Sequence, residues 1–447
     1  MKEIQVGLIG WGTVGCGLAK ILQENREVLA ERVGAFLHLK RVVDIDVERP
    51  RPVNLPAEVL STRVEDIFTD DSIQIVVELI GGMEPARTFL IEAMKRGKHV
   101  VTANKALLAI HGSELFAVAR AQGVTLAFEA AVGGGIPLIR SVREGLVANR
   151  INRIYGILNG TVNYILTRMS RAGTTFSEAL DEAKAHGFAE ADPTLDVEGI
   201  DAAHKIAILS SLAYCCEVDF REVYIEGISQ IEPLDIQFAG DFGYQIKLLA
   251  ISRCDDGRVE VRVHPTMLPC EHMLAKVDGV YNAVHISGDA VGDIMLYGLG
   301  AGMMPTGSAV VSDLVDVSRS LLAGGTVRLP PLSCDNNTAQ PRVLKPMEEL
   351  VINYYFRFSA VDRPGVLSKI AGILGKHDIS IASVIQKGRR AKGSVPLVMM
   401  THEAREKDVR LALAEIDKLK VVTAPTRLIR VENGGVAEEN MLETPSH

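Results

Sequence analysis

The sequence predicts an α/β protein with a doubly wound parallel sheet, followed by an α+β domain and a small C-terminal ferredoxin-like module. From residue 4 to about 128, apolar runs alternate with amphipathic helical patterns, as in a parallel sheet covered by helices on both faces. Residues 130–325 are richer in helix, with SEALDEAKAHG and IDAAHKIAILSSLAY as the clearest amphipathic runs. After residue 350 the predicted order is strand, helix, strand, strand, helix, strand, which matches a ferredoxin-like unit.

A chain of 447 residues is long enough for several hydrophobic cores, and shifts in composition mark the expected boundaries. The predicted divisions are, in chain order, a first domain at 1–130 completed by 305–327, a second domain at 131–304, a proline-rich linker at 328–350, a module at 351–431 and a flexible tail at 432–447.

The net charge limits the classes of partner that the protein can bind. A net charge of −8 and a pI near 5.8 provide no basic surface for nucleic acid or for an anionic membrane. Six scattered cysteines without a CxxC pair are typical of reduced thiols packed in a core. We therefore expect a cytoplasmic protein that binds small molecules, and neither nucleic acid nor a membrane.

A glycine-rich turn follows the first predicted strand. Gly10, Gly12 and Gly15 form G-x-G-x-x-G where a strand ends and a helix begins, which indicates a dinucleotide site of the Rossmann type. Gly10 permits the turn, Gly12 lets the backbone approach a pyrophosphate, and Gly15 lets helix and strand pack closely. The alternative is an ordinary glycine turn. The residues that line the turn by position are Trp11, Thr13 and Val14.

The choice between NAD and NADP stays open. Asp44 ends the next predicted strand, but it lies 29 positions after Gly15, whereas the acid that binds the ribose usually lies ~20 positions on. Arg49 and Arg51 follow closely and suit a 2′-phosphate. Asp44 is either a ribose ligand or a surface turn residue.

A second candidate segment is KHVVTANKALLA, residues 98–109. Its strand runs into Thr102, Asn104 and Lys105 at the expected carboxyl edge of the sheet, where ligands of open parallel sheets bind. A lone lysine is usually a solvated surface residue, but Lys105 is placed where a cofactor and a substrate would meet.

Five carboxylates crowd into the nineteen positions of GFAEADPTLDVEGIDAAHK, residues 187–205. Asp201 and Lys205 are four residues apart in a helical run, which places them on one helix face in the favourable order. The alternative is a surface salt bridge of little energetic value. Ile206, Ala207 and Ile208 are apolar, however, which indicates an embedded helix whose lysine has a perturbed pKa.

Residues 183–205 follow the pattern A-x-x-x-G-F-A-x-x-D-P-x-x-D-V-x-G-x-D-x-x-x-K, which resembles the signature segment of homoserine dehydrogenases. GWGTVG, TANK, EAAVGGGIP and GILNGTVNYIL extend the similarity over roughly residues 1–325. The resemblance implies an NAD- or NADP-dependent enzyme that interconverts aspartate 4-semialdehyde and homoserine. This reaction lies on the route to threonine, methionine and isoleucine.

The resemblance also implies roles for individual residues. The substrate is a zwitterion, so its ammonium needs carboxylate partners. Glu190 and Asp196 would bind the ammonium, with Asp201 near the reacting oxygen. Lys205 is the preferred proton donor and Lys105 the second cation, although the sequence does not separate the two lysines. Asp192 and Glu198 are interpreted as a helix-capping and a surface acid. Further cofactor contacts are implied at Gly187 and Gly302.

The glycine-rich stretch EAAVGGGIP at 129–137 has exposed carbonyls that suit a hard cation. Family members hold a monovalent ion there, usually sodium, which implies backbone ligands at Glu129, Val132, Gly134 and Ile136. A structural hinge between domains is the equally weighted alternative. The histidines show no metal-ligand spacing.

The segment DRPGVL at 362–367 resembles the turn of ACT domains, which bind amino acids as regulators. Its Asp362, Pro364, Gly365 and Val366 would form the effector seat, because a proline and a glycine at a helix start leave backbone N–H groups open. The alternative is a plain capped helix in an oligomerisation domain. The resemblance implies threonine as effector and a homodimer or homotetramer.

Three functions are compared. The leading one is a monofunctional homoserine dehydrogenase with a C-terminal ACT domain, without a fused aspartate kinase. The second is a non-catalytic protein that senses nucleotide and amino acid on the same fold, against which the presence of Lys205, Asp201 and Lys105 argues. The third is another small-acid semialdehyde dehydrogenase, and one with a nucleophilic cysteine is disfavoured because no cysteine lies near these motifs.

Overall fold

The computed structural model describes residues 2–324, 342–386 and 394–432. The strands of its N-terminal part are β1 (Lys2–Ile9), β2 (Ala35–Val43), β3 (Leu60–Ser61), β4 (Ile73–Glu78), β5 (His99–Thr102) and β6 (Leu126–Ala127). The helices of this part are α1 (Thr13–Glu24), α2 (Arg26–Val33), α3 (Glu65–Phe68), α4 (Ala86–Lys95) and α5 (Lys105–Gln122).

These six strands form one parallel sheet in the order β3-β2-β1-β4-β5-β6. Val6 and Leu8 of β1 and Val77 of β4 exclude solvent, as expected for parallel strands covered by helices on both faces. The strand order reverses between β1 and β4, which opens a ligand crevice at their carboxyl ends. The predicted doubly wound sheet of the Rossmann type is confirmed.

The middle of the chain contains more helix. Its elements are α6 (Leu138–Arg140), β7 (Ile151–Ile157), α7 (Gly160–Ala172), α8 (Phe176–Ala185), α9 (Thr194–Val197), α10 (Ile200–Tyr214), β8 (Tyr224–Ile225), α11 (Pro233–Asp241), β9 (Tyr244–Asp255), β10 (Arg258–Pro269), β11 (Tyr281–Gly288), β12 (Gly292–Leu299) and α12 (Met303–Leu322).

Helix α12 returns to the N-terminal sheet and packs against α1. A Cβ added to Gly17 of α1 would lie 2.0 Å from the Met303 carbonyl oxygen, so the two helices approach at backbone distance. Val310 and Leu314 of α12 share a core with β1 and α1. Helix α12 therefore packs on the first domain, and residues 325–327 of the predicted segment 305–327 lie outside the described residues.

The C-terminal elements are β13 (Val343–Leu344), β14 (Val351–Val361), α13 (Val366–Lys376), β15 (Ile381–Gln386), β16 (Ser394–Thr401), β17 (Ala404–Arg405), α14 (Glu406–Ile416) and β18 (Val422–Val431). Strands β18, β14, β16 and β15 form an antiparallel sheet in that order with two helices, which confirms the ferredoxin-like module. This module is not separate: β18 pairs with β10, so one sheet runs β12-β11-β7-β9-β10-β18-β14-β16-β15.

Buried charges line the junction between these two parts. Glu432 is 2% exposed and pairs with Arg262 and Arg253, and Tyr155 donates to the same carboxylate. The predicted tail therefore does not begin at Glu432, because this residue closes a buried ion network. The remaining tail residues, 433–447, lie outside the described residues.

Part of the predicted linker is also ordered against the protein. Strand β13 pairs with β10, and Leu350 is 2% exposed. Residues 328–341 lie outside the described residues.

The cysteine prediction needs one correction. Cys16, Cys216, Cys254 and Cys270 are free, whereas Cys215 is disulfide-bonded. Spacing alone did not indicate this bond, because partners in a fold need not be close in sequence.

Within 2–324, 342–386 and 394–432, no helix combines the length and the apolar character required to cross a membrane.

Candidate active site

The glycine loop has the geometry that its sequence predicts. Gly10 adopts φ +101°, and a Cβ there would lie 2.7 Å from the backbone of Leu79. A Cβ on Gly15 would lie 2.4 Å from the Gly10 carbonyl oxygen, so α1 packs closely against the turn. A Cβ on Gly12 would meet nothing within 4 Å, which leaves the N-terminus of α1 open to a ligand. The loop therefore fits a dinucleotide phosphate.

Asp44 is engaged by the chain itself. Its Oδ2 accepts from the Trp11 backbone N–H at 2.6 Å, and its Oδ1 lies 3.3 Å from Arg51 Nη2. Arg51 Nε donates to the Trp11 carbonyl at 2.6 Å, and its guanidinium lies 4.3 Å from the centroid of the Trp11 ring. Asp44 and Arg51 thus brace the glycine loop, whereas Arg49 is exposed.

The carboxyl edge of the sheet is organised by an acid that sequence analysis missed. Glu78 is fully buried at the end of β4 and accepts from Thr102 Oγ1 at 2.6 Å and from two backbone N–H groups at 2.9 and 3.0 Å. Burial raises the pKa of this carboxyl. Asn104 donates to the Gly82 carbonyl at 2.6 Å and caps α5.

The side chains of Thr102 and Asn104 are therefore occupied in building this edge. A direct bond from either to a cofactor would have to replace an existing one. Lys105, the first residue of α5, differs from them because it lines a cavity.

Asp201 is the centre of a buried cluster. Its Oδ2 accepts from Lys205 Nζ at 2.7 Å and from Asn159 Nδ2 at 2.8 Å, and its Oδ1 lies 3.0 Å from Lys105 Nζ. Lys205 Nζ also donates to the Leu158 carbonyl at 2.6 Å. The predicted pair of Asp201 and Lys205 exists and is buried, so the solvated surface bridge is excluded.

The two lysines have different electrostatics. Asp201 raises the pKa of Lys105, whose side chain is 40% exposed. Burial lowers the pKa of Lys205, whose side chain is 10% exposed, despite the opposing effect of Asp201. Burial alone would raise the pKa of Asp201, but Lys205 and Lys105 outweigh it and hold the pKa below its ordinary value. Lys205 is thus the easier of the two to deprotonate.

Asn159 joins the cluster to the acidic segment, and sequence analysis did not single it out. Its Nδ2 donates to Asp196 Oδ1 at 2.7 Å as well as to Asp201, and its Oδ1 caps α7 through Val162 N at 2.9 Å. A short polar residue between a strand and a helix, as in GILNGT, was the available signal. Burial raises the pKa of Asp196, whereas Glu190 is exposed.

These residues surround one cavity of about 620 Å³. Thr13 and Val14 of the glycine loop line one side, and Gly160 and Thr161 at the start of α7 line another. The predicted site residues that also line it are Lys105, Gly134, Gly187, Glu190, Asp196, Asp201, Lys205 and Gly302. The fold thus brings the nucleotide turn and the acidic segment to one place.

The predicted cation loop is built differently from a side-chain metal site. The Glu129 carboxylate accepts from the backbone N–H groups of Ile139 and Arg140 at 3.0 and 2.9 Å. The Ile136 carbonyl accepts from Leu138 N at 2.7 Å. In the part of the chain that the structure describes, no three His, Cys, Asp or Glu side chains are grouped to hold a metal. Any ion here would rely on carbonyls such as those of Val132 and Gly134.

The predicted effector turn lies on the surface of the ferredoxin-like module. Pro364 and Gly365 are exposed, Gly365 adopts φ +86° at the start of α13, and Val366 is buried beneath them. Asp362 is half-buried. The backbone at the start of α13 is therefore accessible.

A dinucleotide-binding sheet facing a lysine–aspartate cluster defines a nicotinamide nucleotide-dependent oxidoreductase. Residues 10–129 match the family described as homoserine dehydrogenase, NAD binding domain, residues 137–315 match homoserine dehydrogenase, and residues 354–421 match the ACT domain. The chain belongs to the homoserine dehydrogenase family.

Relatives support this assignment over almost the whole chain. A homoserine dehydrogenase of Pseudomonas aeruginosa is 46% identical over 97% of this chain and 99% of its own. The crystal structure of a homoserine dehydrogenase from Thiobacillus denitrificans has a TM-score of 0.91 and 46% identity, covering 97% of this chain and 99% of its own. A hyperthermophilic archaeal homoserine dehydrogenase mutant in complex with NADPH has a TM-score of 0.61 and 27% identity, covering 73% of this chain and all of its own.

Proposed function

We propose that this chain catalyses the reversible, NAD(P)-dependent oxidation of L-homoserine to aspartate 4-semialdehyde. The observation that carries the proposal is the cluster of Asp201, Lys205 and Lys105 in the same cavity as the glycine-loop residues Thr13 and Val14. A titratable lysine beside a nucleotide crevice is what a carbinol-to-carbonyl redox step needs.

The substrate would be held by its charges. Asp196 and Glu190 present carboxylates to the cavity and suit the α-ammonium. The N-terminus of α7, where Gly160 and Thr161 line the cavity ahead of the Asn159 cap on Val162, suits the α-carboxylate because the helix dipole and the first backbone N–H groups favour an anion. The reacting oxygen would then lie by Lys205.

In the oxidative direction, a nicotinamide ring held beside the glycine loop would supply the acceptor for the hydride that leaves C4 of homoserine. Neutral Lys205 takes the hydroxyl proton, so the C4 carbinol becomes an aldehyde and the lysine becomes an ammonium. In the reductive direction the Lys205 ammonium returns the proton to the developing alkoxide. Asp201 holds Lys205 in place, and Lys105 adds a second positive charge.

The direct test is homoserine oxidation followed by nicotinamide absorbance, with NAD and NADP in parallel. Turnover that depends on homoserine, and that Lys205→Met abolishes, would support the proposal. Binding of the cofactor without turnover of homoserine would contradict it and favour a different semialdehyde or a sensing role.

The cofactor preference is tested in the same assay with Arg49→Ala. Arg49 is exposed beside the glycine loop and free to meet a 2′-phosphate, whereas Arg51 is tied to Trp11 and Asp44. A rise in KM for NADP alone would assign Arg49 to the phosphate.

Regulation is proposed to act through the ACT domain, with threonine as effector in a cytoplasmic homodimer or homotetramer. The exposed turn of Asp362, Pro364, Gly365 and Val366 presents the start of α13 to a carboxylate. Gly365→Asp places a like charge there, so it should abolish inhibition by threonine while basal turnover is retained. Calorimetry should lose the heat of threonine binding in this variant.

A sodium ion held by the carbonyls of Glu129, Val132, Gly134 and Ile136 completes the proposal. Turnover that is unchanged in sodium-free buffer would show that catalysis does not need the ion.

A further inference from the structure

A buried amide lies in the wall of the cavity. Asn282, near the start of β11, is 1% exposed and lines the cavity that contains Lys205. Neither its Oδ1 nor its Nδ2 has a hydrogen-bond partner among the described residues. Because nearly all buried polar groups in folded proteins are paired, an amide with both ends unpaired in a ligand cavity indicates a ligand contact.

The surroundings of Asn282 show which part of the cavity it serves. A Cβ on Gly300 would lie 2.0 Å from Asn282 Nδ2, so the amide packs directly on the glycine turn that leads into α12. A Cβ on Gly160 would lie 3.5 Å from Asn282 Oδ1. Helix α12 packs on α1 at Gly17, so this turn belongs to the nucleotide side of the cavity. Asn282 therefore lies between the nucleotide side and the start of α7.

The donor and acceptor inventory selects the ligand group. An asparagine amide presents one acceptor oxygen and two N–H donors, and here both kinds are unmet. A carboxylate only accepts and an ammonium only donates, so either alone would leave one end of Asn282 unpaired. A carboxamide offers an acceptor and a donor on adjacent atoms and pairs with both ends.

We propose that the Asn282 side chain binds the carboxamide of the nicotinamide ring through two hydrogen bonds and thereby fixes the orientation of the ring beside Lys205. This inference rests on the proposed dinucleotide-dependent function. It makes Asn282 a cofactor-recognition residue rather than a proton donor.

The test compares cofactor binding by the parent chain and by Asn282→Ala, in the absence of homoserine. The ligands are the preferred cofactor, its 3-acetylpyridine analogue, in which a methyl group replaces the amide nitrogen, and the matching ADP-ribose, which lacks the ring. Loss of the two bonds should weaken the cofactor about tenfold. ADP-ribose should bind equally to both proteins, and the parent's preference for the carboxamide over the acetyl group should disappear.

Two further variants keep the test decisive. Asn282→Asp has nearly the same shape and keeps an acceptor but lacks the N–H donor, so, even if Asn282→Ala does not fold, it should weaken the cofactor and its acetyl analogue alike while the preference for the carboxamide remains. Asn163→Ala removes a buried asparagine whose amide already donates to the Val277 and Tyr281 carbonyls, and it should leave the discrimination intact.

Other outcomes overturn the inference. An equal loss of affinity for ADP-ribose would make Asn282 a structural part of the wall. Unchanged cofactor affinity with a higher KM for homoserine would assign the amide to the substrate carboxylate. A parent chain that binds the cofactor but does not oxidise homoserine would overturn the proposed function and leave the Asn282 contact standing.

Discussion

Replacement of Lys205 by methionine tests the proposed proton transfer most directly. The substitution keeps the length of a side chain that is 10% exposed and removes its charge. Asp201 would retain Lys105 at 3.0 Å and Asn159 Nδ2 at 2.8 Å, so its buried charge stays compensated. The Leu158 carbonyl loses its donor, which costs about 1–3 kcal/mol of folding free energy. The variant should therefore fold with a lower Tm.

The loss of turnover should correspond to a larger free energy than the loss of folding stability. A positioned acid or base contributes roughly 10²–10⁴-fold, which corresponds to about 3–5 kcal/mol of barrier at 1.36 kcal/mol per tenfold. Cofactor affinity should stay within a few-fold, because Lys205 is not on the glycine loop. Lys247→Met is the matched control: this lysine is also buried and donates to a carbonyl and a carboxylate, at 2.6 and 3.1 Å, but it does not line the cavity.

The pH profile separates a chemical role from a structural one. Since burial lowers the pKa of Lys205, homoserine oxidation should rise as pH increases through that pKa, because the base must be neutral. Reduction of the aldehyde should fall over the same pH range, because the acid must be protonated. Lys205→Met should remove both limbs. Turnover within a few-fold of the parent, with the limbs preserved, would refute the assignment and make Lys105 the donor.

Three further predictions concern neighbours of the cluster and the C-terminal module. Asp196→Asn should raise the KM for homoserine about tenfold or more, and Glu190→Gln less, because Glu190 is exposed; equal KM values would place the ammonium elsewhere. Asn159→Ala should lower both kcat and Tm, whereas Asn159→Ser should restore the α7 cap and the Tm but leave kcat low; recovery of kcat in the serine variant would exclude a bridging role. A chain ending at residue 340 should have a lower Tm and a lower turnover, because the buried Arg262 loses Glu432 and the buried Asp235 loses Arg357; a stable, active truncation would show the module to be separable.

Local patterns made much of this molecule predictable. The glycine loop and the pair of Asp201 and Lys205 depend on spacings of a few residues, and these spacings survive folding because a turn or a helix fixes them. Asn159 and Asp196 lie 37 positions apart and meet only because α7 and α9 start at the same cavity. The partner of Glu78 is 24 positions away on an adjacent strand. Such contacts depend on tertiary packing, which periodicity does not describe.

The contacts of the C-terminal module are likewise not predictable from local sequence patterns. Its own pattern predicts the ferredoxin-like fold, and the proline-rich segment before it predicts a linker. The pairs that join the two parts are distant in sequence: Arg262 with Glu432 is 170 positions apart, and Arg357 with Asp235 is 122. No local signal marks them, since each residue alone resembles an ordinary surface charge.

These buried pairs constrain how regulation can act. A module tethered only by a linker could move freely, but here β18 continues the sheet at β10 and Glu432 pairs with Arg262 beneath it. Separating the two parts would strand buried charges at a cost of several kcal/mol. Tyr155, which donates to Glu432, lies on β7, and β7 ends immediately before the Leu158 carbonyl that accepts from Lys205. If an effector binds at the exposed turn, we expect it to act on the cavity through small shifts within this shared sheet. Undocking the module would require a difference in effector affinity between the two states as large as the free energy of undocking.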